Sequence, residues 1–314
     1  MRWPRAAVPA WVVHAGFLGL LIAAGAAYAL AGSGQRELIY TAATILPVLT
    51  FLFALANGNL PDRRPWTLAV IALAVIAGQQ LFWPTWIAEA PLGRAQGMVH
   101  DTAQAVAHLL FLAGTAAGLR RRASADLGGI IDSALIGICC GGPLWEWVIR
   151  PHLAPGATPL GQVLLLSDLL VLCAVAGSLI RLGMMGRQGR GTLAYLLLTA
   201  VFTLASTVTS TVAPDSGRVW SALMMLAGAL TIAAAPMHPD AAAVTQPPVT
   251  GPVVGRQRLG WLAVALVTNP LMAAVQIVRG EQGASLLLPV GTLLIVPLVL
   301  MRIRLLSAQR DQAE

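Results

Sequence analysis

The sequence predicts an all-α, polytopic membrane protein of about ten transmembrane helices with both termini in the cytoplasm. Three observations predict it. Of 314 residues, 57% are hydrophobic and only 11% are charged, less than half the charge that covers an ordinary soluble domain. Ten apolar windows are each long enough, at roughly 20 residues, to cross a hydrocarbon core about 30 Å thick. The 20 basic residues, all of them arginine, alternate between two sides once those windows are taken as spans. So few charges cannot cover a water-facing surface, which excludes a soluble globular enzyme, a disordered chain and a disulfide scaffold.

Span one, at 11–31, follows Arg2 and Arg5. Its end at Ala27-Tyr28-Ala29 also fits a secretory signal, but the apolar run is long for one, and a retained anchor is expected. Span two, at 38–57, is interrupted by Pro47. Span three, at 66–87, begins behind Arg63 and Arg64, and span four, at 98–119, runs into Arg120-Arg121-Arg122. Span five, at 129–149, carries Asp132, Cys139 and Glu146 at seven-residue intervals, hence on one face. Span six, at 161–182, holds Asp168, and span seven, at 192–213, a stripe of Thr199, Thr203, Ser206, Thr207, Ser210 and Thr211. In a bilayer such a stripe serves close helix packing or bonds carbonyls four residues back. Span eight, at 219–236, closes an eight-helix bundle over 1–236. Residues 237–258, with Pro239, Pro247, Pro248 and Pro252, read as a semi-rigid cytoplasmic linker. A two-helix hairpin over 259–304, with spans at 259–278 and 285–303, and a cytoplasmic tail over 305–314 complete the chain.

Cytoplasmic loops collect basic residues. On this map one side receives fifteen arginines, from Arg2 and Arg5 through Arg120, Arg121 and Arg122 to Arg310, and the other only Arg36, Arg94, Arg150, Arg218 and Arg279. The nine tryptophans fall at expected span boundaries, the headgroup level that indoles prefer. The net charge of +7 is thus an orientation signal and a contact for anionic lipid, not a nucleic-acid footprint. Arginine without lysine fits a high-GC bacterial genome, and the expected location is the bacterial inner membrane.

The three cysteines lie in apolar runs and form no CxxC pair. No P-loop, dinucleotide fingerprint, nucleophile elbow or HExxH occurs, so neither catalysis nor a cofactor is expected. The spacings Gly114xxxGly118 and Gly137xxxGly141 permit close approach of helices, yet among 31 glycines such matches arise by chance.

Ionisable residues within spans are expensive and by default point to function. His100, Asp101, Gln104 and His108 enter span four from the outer side, Glu146 lies one turn inside the outer end of span five, and Asp168 about two turns inside that of span six. Together they form a candidate ligand-binding set in the outer leaflet, for a small ligand, a proton or a metal. Alternatively, Asp101 and Glu146 sit among headgroups, and Asp168 pairs with a histidine as interhelical glue. His100 and His108 stand about 12 Å apart by helix rise and cannot share one ion unaided. His14 lies toward the opposite side, so no metal site is assigned. Asp132 is expected to pair with the cluster Arg120 to Arg122.

Several stretches carry a family resemblance: Ile131-Asp132-Ser133-Ala134-Leu135-Ile136, Leu144-Trp145-Glu146-Trp147-Val148-Ile149-Arg150-Pro151 and Leu166-Ser167-Asp168-Leu169-Leu170-Val171-Leu172. Ala235-Pro236-Met237-His238-Pro239 and Val275-Gln276-Ile277-Val278-Arg279-Gly280 continue them. Over about 127–306 the chain resembles the N-terminal multi-helix membrane region of bacterial GGDEF/EAL cyclic-di-GMP signalling proteins. Neither output motif occurs in these 314 residues, so the resemblance implies the sensory or anchoring part and no cyclase or phosphodiesterase activity. The leading expectation is an integral membrane sensor, its partners the lipid bilayer and a cytoplasmic signalling protein met by the tail, with homo-oligomerisation open. A secondary transporter and a structural membrane scaffold are the alternatives.

Overall fold

The computed structural model describes residues 9–60, 62–82, 99–122, 127–153, 155–184 and 188–246, with helical positions at 267, 271, 296–301, 303–304 and 307. Among them the regular elements are helices throughout. Eight long ones follow in order: α1 (Ala10–Leu30), α2 (Ser33–Ala56), α3 (Arg63–Phe82), α4 (Val99–Arg122), α5 (Leu127–Leu144), α6 (Pro159–Met184), α7 (Arg190–Val212) and α8 (Arg218–Ala234). Six stretches are long and apolar enough to cross a membrane, namely those of α1, α2, α4, α6, α7 and Arg218–Met237. The chain is therefore an all-helical membrane protein. Most of the positions expected as the last two spans and the tail lie outside the described residues.

Local chemistry sets the ends. Arg36 donates to the carbonyls of Tyr28 and Ala29 at 3.0 and 3.1 Å, satisfying groups that the last turn of α1 leaves without helical partners. Behind α2, Gly58 takes φ +69°, and the N–H groups of Gly58 and Asn59 donate to Leu55 and Ala54. That is a Schellman cap, for which glycine carries no steric penalty. Thr158 Oγ1 accepts from the Gly161 N–H at 3.0 Å with Pro159 at the first helical position of α6, a hydroxyl cap combined with a proline whose missing N–H costs nothing there. Pro143 sits inside α5, and the winding widens into π turns over Trp145–Ile149 before a 3-10 turn at Arg150–His152. A proline cannot donate to the carbonyl four residues back, which favours such a local change of register.

Successive helices run up and down. Asp62 ahead of α3 binds Arg121 at the end of α4 at 3.2 Å, and Asp132 near the start of α5 pairs with Arg181 near the end of α6. These contacts define an arginine-rich end of the bundle and, opposite it, an arginine-poor end. Asp132 thus has a partner that the sequence reading did not name, Arg181 on the last turn of α6, and Arg121 reaches back to Asp62.

The main core joins Phe51, Leu60, Trp66, Leu73, Val175, Leu179 and Leu193 with Ala241 and Val244. Two expectations change here. Trp66 and Trp145 are buried within the bundle, Trp66 against Phe51 with ring centroids 5.8 Å apart, whereas Trp11 and Trp220 remain exposed. The start of the proline-rich stretch is docked as a 3-10 helix, Pro239–Thr245, with Ala241 and Val244 in the core. Helix α1 is peripheral and has no buried residue; Phe17, Leu21, Ala24 and Tyr28 pack it onto Leu226 and Leu230 of α8. Its uniform apolarity suits a lipid-facing helix.

The glycines of α5 matter more than chance predicts. A Cβ at Gly137 would stand 2.9 Å from the Leu170 carbonyl, and one at Gly141 2.8 Å from the Leu170 side chain, while one at Gly177 would meet Ile136 at 2.9 Å. Helices α5 and α6 therefore approach along a seam of small residues, as membrane helices do in place of hydrophobic collapse. Gly114 faces the Pro65 carbonyl in the same way, but Gly118 faces open space.

Candidate functional site: a buried imidazole and amide chain

Helix α4 presents His100, Gln104 and His108 on one stripe, because residues four apart are neighbours on a helix. All three are buried, as are Gln79 and Gln80 of α3 and Asp168 of α6, none more than 7% exposed. Asp168 and His108 each lie nine residues beyond the start of their helix, about 13 Å down from the arginine-poor end at 1.5 Å per residue. At that shared depth His108 Nδ1 meets Asp168 Oδ1. On the other edge of the ring, Gln104 Nε2 lies 3.2 Å from His108 Nε2.

Donor bookkeeping assigns the tautomer. The carboxylate accepts from Nδ1–H, and Nε2 accepts from the glutamine amide, so a neutral imidazole satisfies both contacts at once. About two turns nearer the arginine-poor end than His108, Gln79 Nε2 meets His100 Nδ1, which leaves the hydrogen of His100 on Nε2. Gln80 Nε2 donates to Thr41 Oγ1 at 3.4 Å. Within this cluster three atoms are buried without a hydrogen-bond partner: His100 Nε2, Gln79 Oε1 and Gln80 Oε1. Buried polar groups are usually satisfied, and orphaned ones cost about 1–3 kcal/mol each.

The side chains that carry those atoms line a chamber of about 80 Å³ between α2, α3, α4, α7 and α8, with Tyr40, Thr44 and Pro47 on the α2 side. A second chamber, of about 100 Å³, extends toward the arginine-rich end past Trp66, Gly114 and Leu196 to Thr245. The two share His108, Phe111, Thr199, Thr203 and Ile232 as a common wall. The second is apolar apart from His108, a few threonines and the indole N–H of Trp66, and in it Trp66 Nε1 and Thr245 Oγ1 are buried without a hydrogen-bond partner. Thr199 and Thr203 already bond the carbonyls four residues back at 3.0 and 2.9 Å.

Of the sequence-derived candidates, the fold brings together His100, Gln104, His108 and Asp168. It does not bring in Glu146 or Asp101. Glu146 is buried in the π turn and pairs with Arg150, one turn on, at 2.9 Å, and Asp101 is half-buried beside the stripe; neither lines a chamber. The stripe on α7 performs both expected jobs: threonines bond back along their own helix, and Ser206 Oγ reaches the Ser221 hydroxyl and carbonyl on α8 at 2.9 Å each.

Sequence reading missed Gln79 and Gln80, although two consecutive amides inside an apolar run are the signal that exposes them. It also missed a second cluster at the arginine-rich end, where His14 Nδ1 bonds Tyr195 OH at 2.7 Å and the His14 and His238 rings lie 5.3 Å apart. His238 Nδ1 accepts from the Asp240 N–H at 3.2 Å. No group of three or more metal-ligating side chains occurs among the described residues.

Comparison with protein-family models, with curated proteins and with solved structures finds no match to this chain.

Proposed function

We propose that this chain is a polytopic sensor of the bacterial cell membrane, with ten spans and both ends in the cytoplasm. In this reading a small ligand enters the polar chamber from the outer half of the bundle and changes how α3, α4 and α6 pack. The last hairpin and tail pass that change to a cytoplasmic partner. One observation carries the reading: buried groups from three helices, Gln79, His100, Gln104, His108 and Asp168, gather beside a chamber whose lining side chains retain unpartnered polar atoms. Polar side chains at such depth are costly in a bilayer, and a bound ligand that supplies the missing partners offsets that cost.

The apolar second chamber supports binding rather than passage. Among its lining residues the only titratable side chain is His108, so a hydrophilic solute moving inward would exchange its water for little more than threonine hydroxyls and the Trp66 indole N–H. The arginine asymmetry supports the orientation. The resemblance over 127–306 to the membrane region of GGDEF/EAL proteins supports coupling to a cytoplasmic output. A secondary transporter is the second reading, favoured by the wall that the two chambers share near mid-depth.

Photo-crosslinking in native membranes from a probe at Gln309 tests the proposal. The expected result is capture of a cytoplasmic protein, with a yield that changes in Asp168→Asn. Capture of none removes the signalling reading, and solute uptake into sealed vesicles that Asp168→Asn abolishes replaces it with transport.

A further inference from the structure

We infer that the ligand is a small uncharged amphiphile, with a hydroxyl-type head in the polar chamber and a short aliphatic body in the apolar one. The inference rests on the binding reading above and narrows it. It starts from the unpartnered atoms. Gln79 and Gln80 each direct the amide nitrogen to a protein acceptor, at His100 Nδ1 and Thr41 Oγ1, so their free oxygens ask for donors. His100 Nε2, which carries the hydrogen, asks for an acceptor. A hydroxyl both donates and accepts, so a head of one or two hydroxyls matches this set.

Charge narrows the class further. Tyr40, His100 and His108 are the titratable side chains lining the polar chamber, and the carboxylate of Asp168, hydrogen-bonded to His108, does not line it. A ligand ion would find no counter-charge among the lining groups, and an unpaired ion in a low-dielectric interior is strongly disfavoured. The shared wall at His108, Phe111, Thr199, Thr203 and Ile232 then continues into the mainly apolar chamber, where Leu172 and Leu196 offer dispersion contacts and Trp66 Nε1 and Thr245 Oγ1 are buried without a hydrogen-bond partner. Chambers of about 80 and 100 Å³ stand below the roughly 150 Å³ of an engineered apolar cavity that holds benzene. The body is therefore a short aliphatic chain.

The test uses the full chain in phospholipid nanodiscs and two photoreactive probes, an octanol carrying a diazirine and the matching octane without the hydroxyl. The octanol probe is expected to label peptides containing Phe111 and Leu196 saturably and to be displaced by unlabelled 1-octanol. The octane probe is expected to label those sites about tenfold less, the loss of one to two net hydrogen bonds. In Gln79→Leu/Gln80→Leu the two probes should label alike. Equal saturable labelling by both probes in the unaltered chain overturns the inference, as does labelling confined to outward-facing Leu109 and Leu198. Displacement by acetate or tetramethylammonium, with 1-octanol inert, overturns the ligand class while leaving a binding site. Chamber labelling that 1-octanol displaces, with the Gln309 crosslink unmoved by 1-octanol, upholds the ligand class and removes the sensor.

Discussion

At the scale of single residues, the His108–Asp168 pair is the costliest arrangement described in this molecule, and its value lies in completeness. His108 uses both ring nitrogens, on Asp168 and on Gln104. Asp168→Asn keeps the shape and one hydrogen bond and should cost about 1 kcal/mol, in line with interhelical bonds in membranes. Asp168→Leu leaves the His108 Nδ1–H without an acceptor and should cost roughly 1–3 kcal/mol; reversible unfolding in mixed micelles measures both. His238, outside the spans, gives a pH dependence. Burial pushes its imidazole below the usual value of 6.5, with Asp240 opposing this and His14 adding to it. The unfolded chain then binds more protons between the lowered value and 6.5, so this contribution is whole above 6.5 and is lost as pH falls through the lowered value. The unfolding midpoint should drop as pH falls below 6.5, and His238→Gln should flatten that slope.

At the scale of elements, two GxxxG spacings that look equivalent in the sequence separate in the fold. Gly137 and Gly141 both face α6 at distances no Cβ tolerates, whereas Gly118 faces nothing within 4 Å. Gly137→Ala should therefore destabilise by about 1–3 kcal/mol through overpacking, while Gly118→Ala should be neutral or stabilise by up to about 1 kcal/mol. Paired unfolding curves decide it. Across α7 and α8, a double-mutant cycle of Ser206→Ala and Ser221→Ala should return a coupling of about 0.6 kcal/mol. The helices themselves were legible because each apolar run is long and bounded by arginine, proline or glycine. Partners were not, since the arginine that Asp132 finds depends on which helix ends lie side by side.

At the scale of the whole molecule, the solvent is lipid, and one face of nearly every helix is free to be apolar. That explains how α1 belongs to the bundle with no buried residue, and why large side chains such as Ile22 and Leu30, 70% and 88% exposed, carry no penalty. The orientation proposed from the arginines has a direct check. A reporter fused after Arg122 should be active in the cytoplasm and silent outside, and the reverse pattern would invert the polar chamber with respect to the membrane.

The sequence by itself determined that this is a helical membrane protein and where most helices begin and end, because length, apolarity and breaking residues act locally along the chain. It also named four of the six side chains of the site, because a histidine or carboxylate inside an apolar run is conspicuous. Tertiary structure alone decided that Gln79 and Gln80 join them, that Glu146 turns instead to Arg150, and that an apolar chamber lies beneath. Those outcomes depend on which faces of distant helices meet, and helix–helix register in lipid is set by side-chain packing and hydrogen bonds rather than by any local pattern.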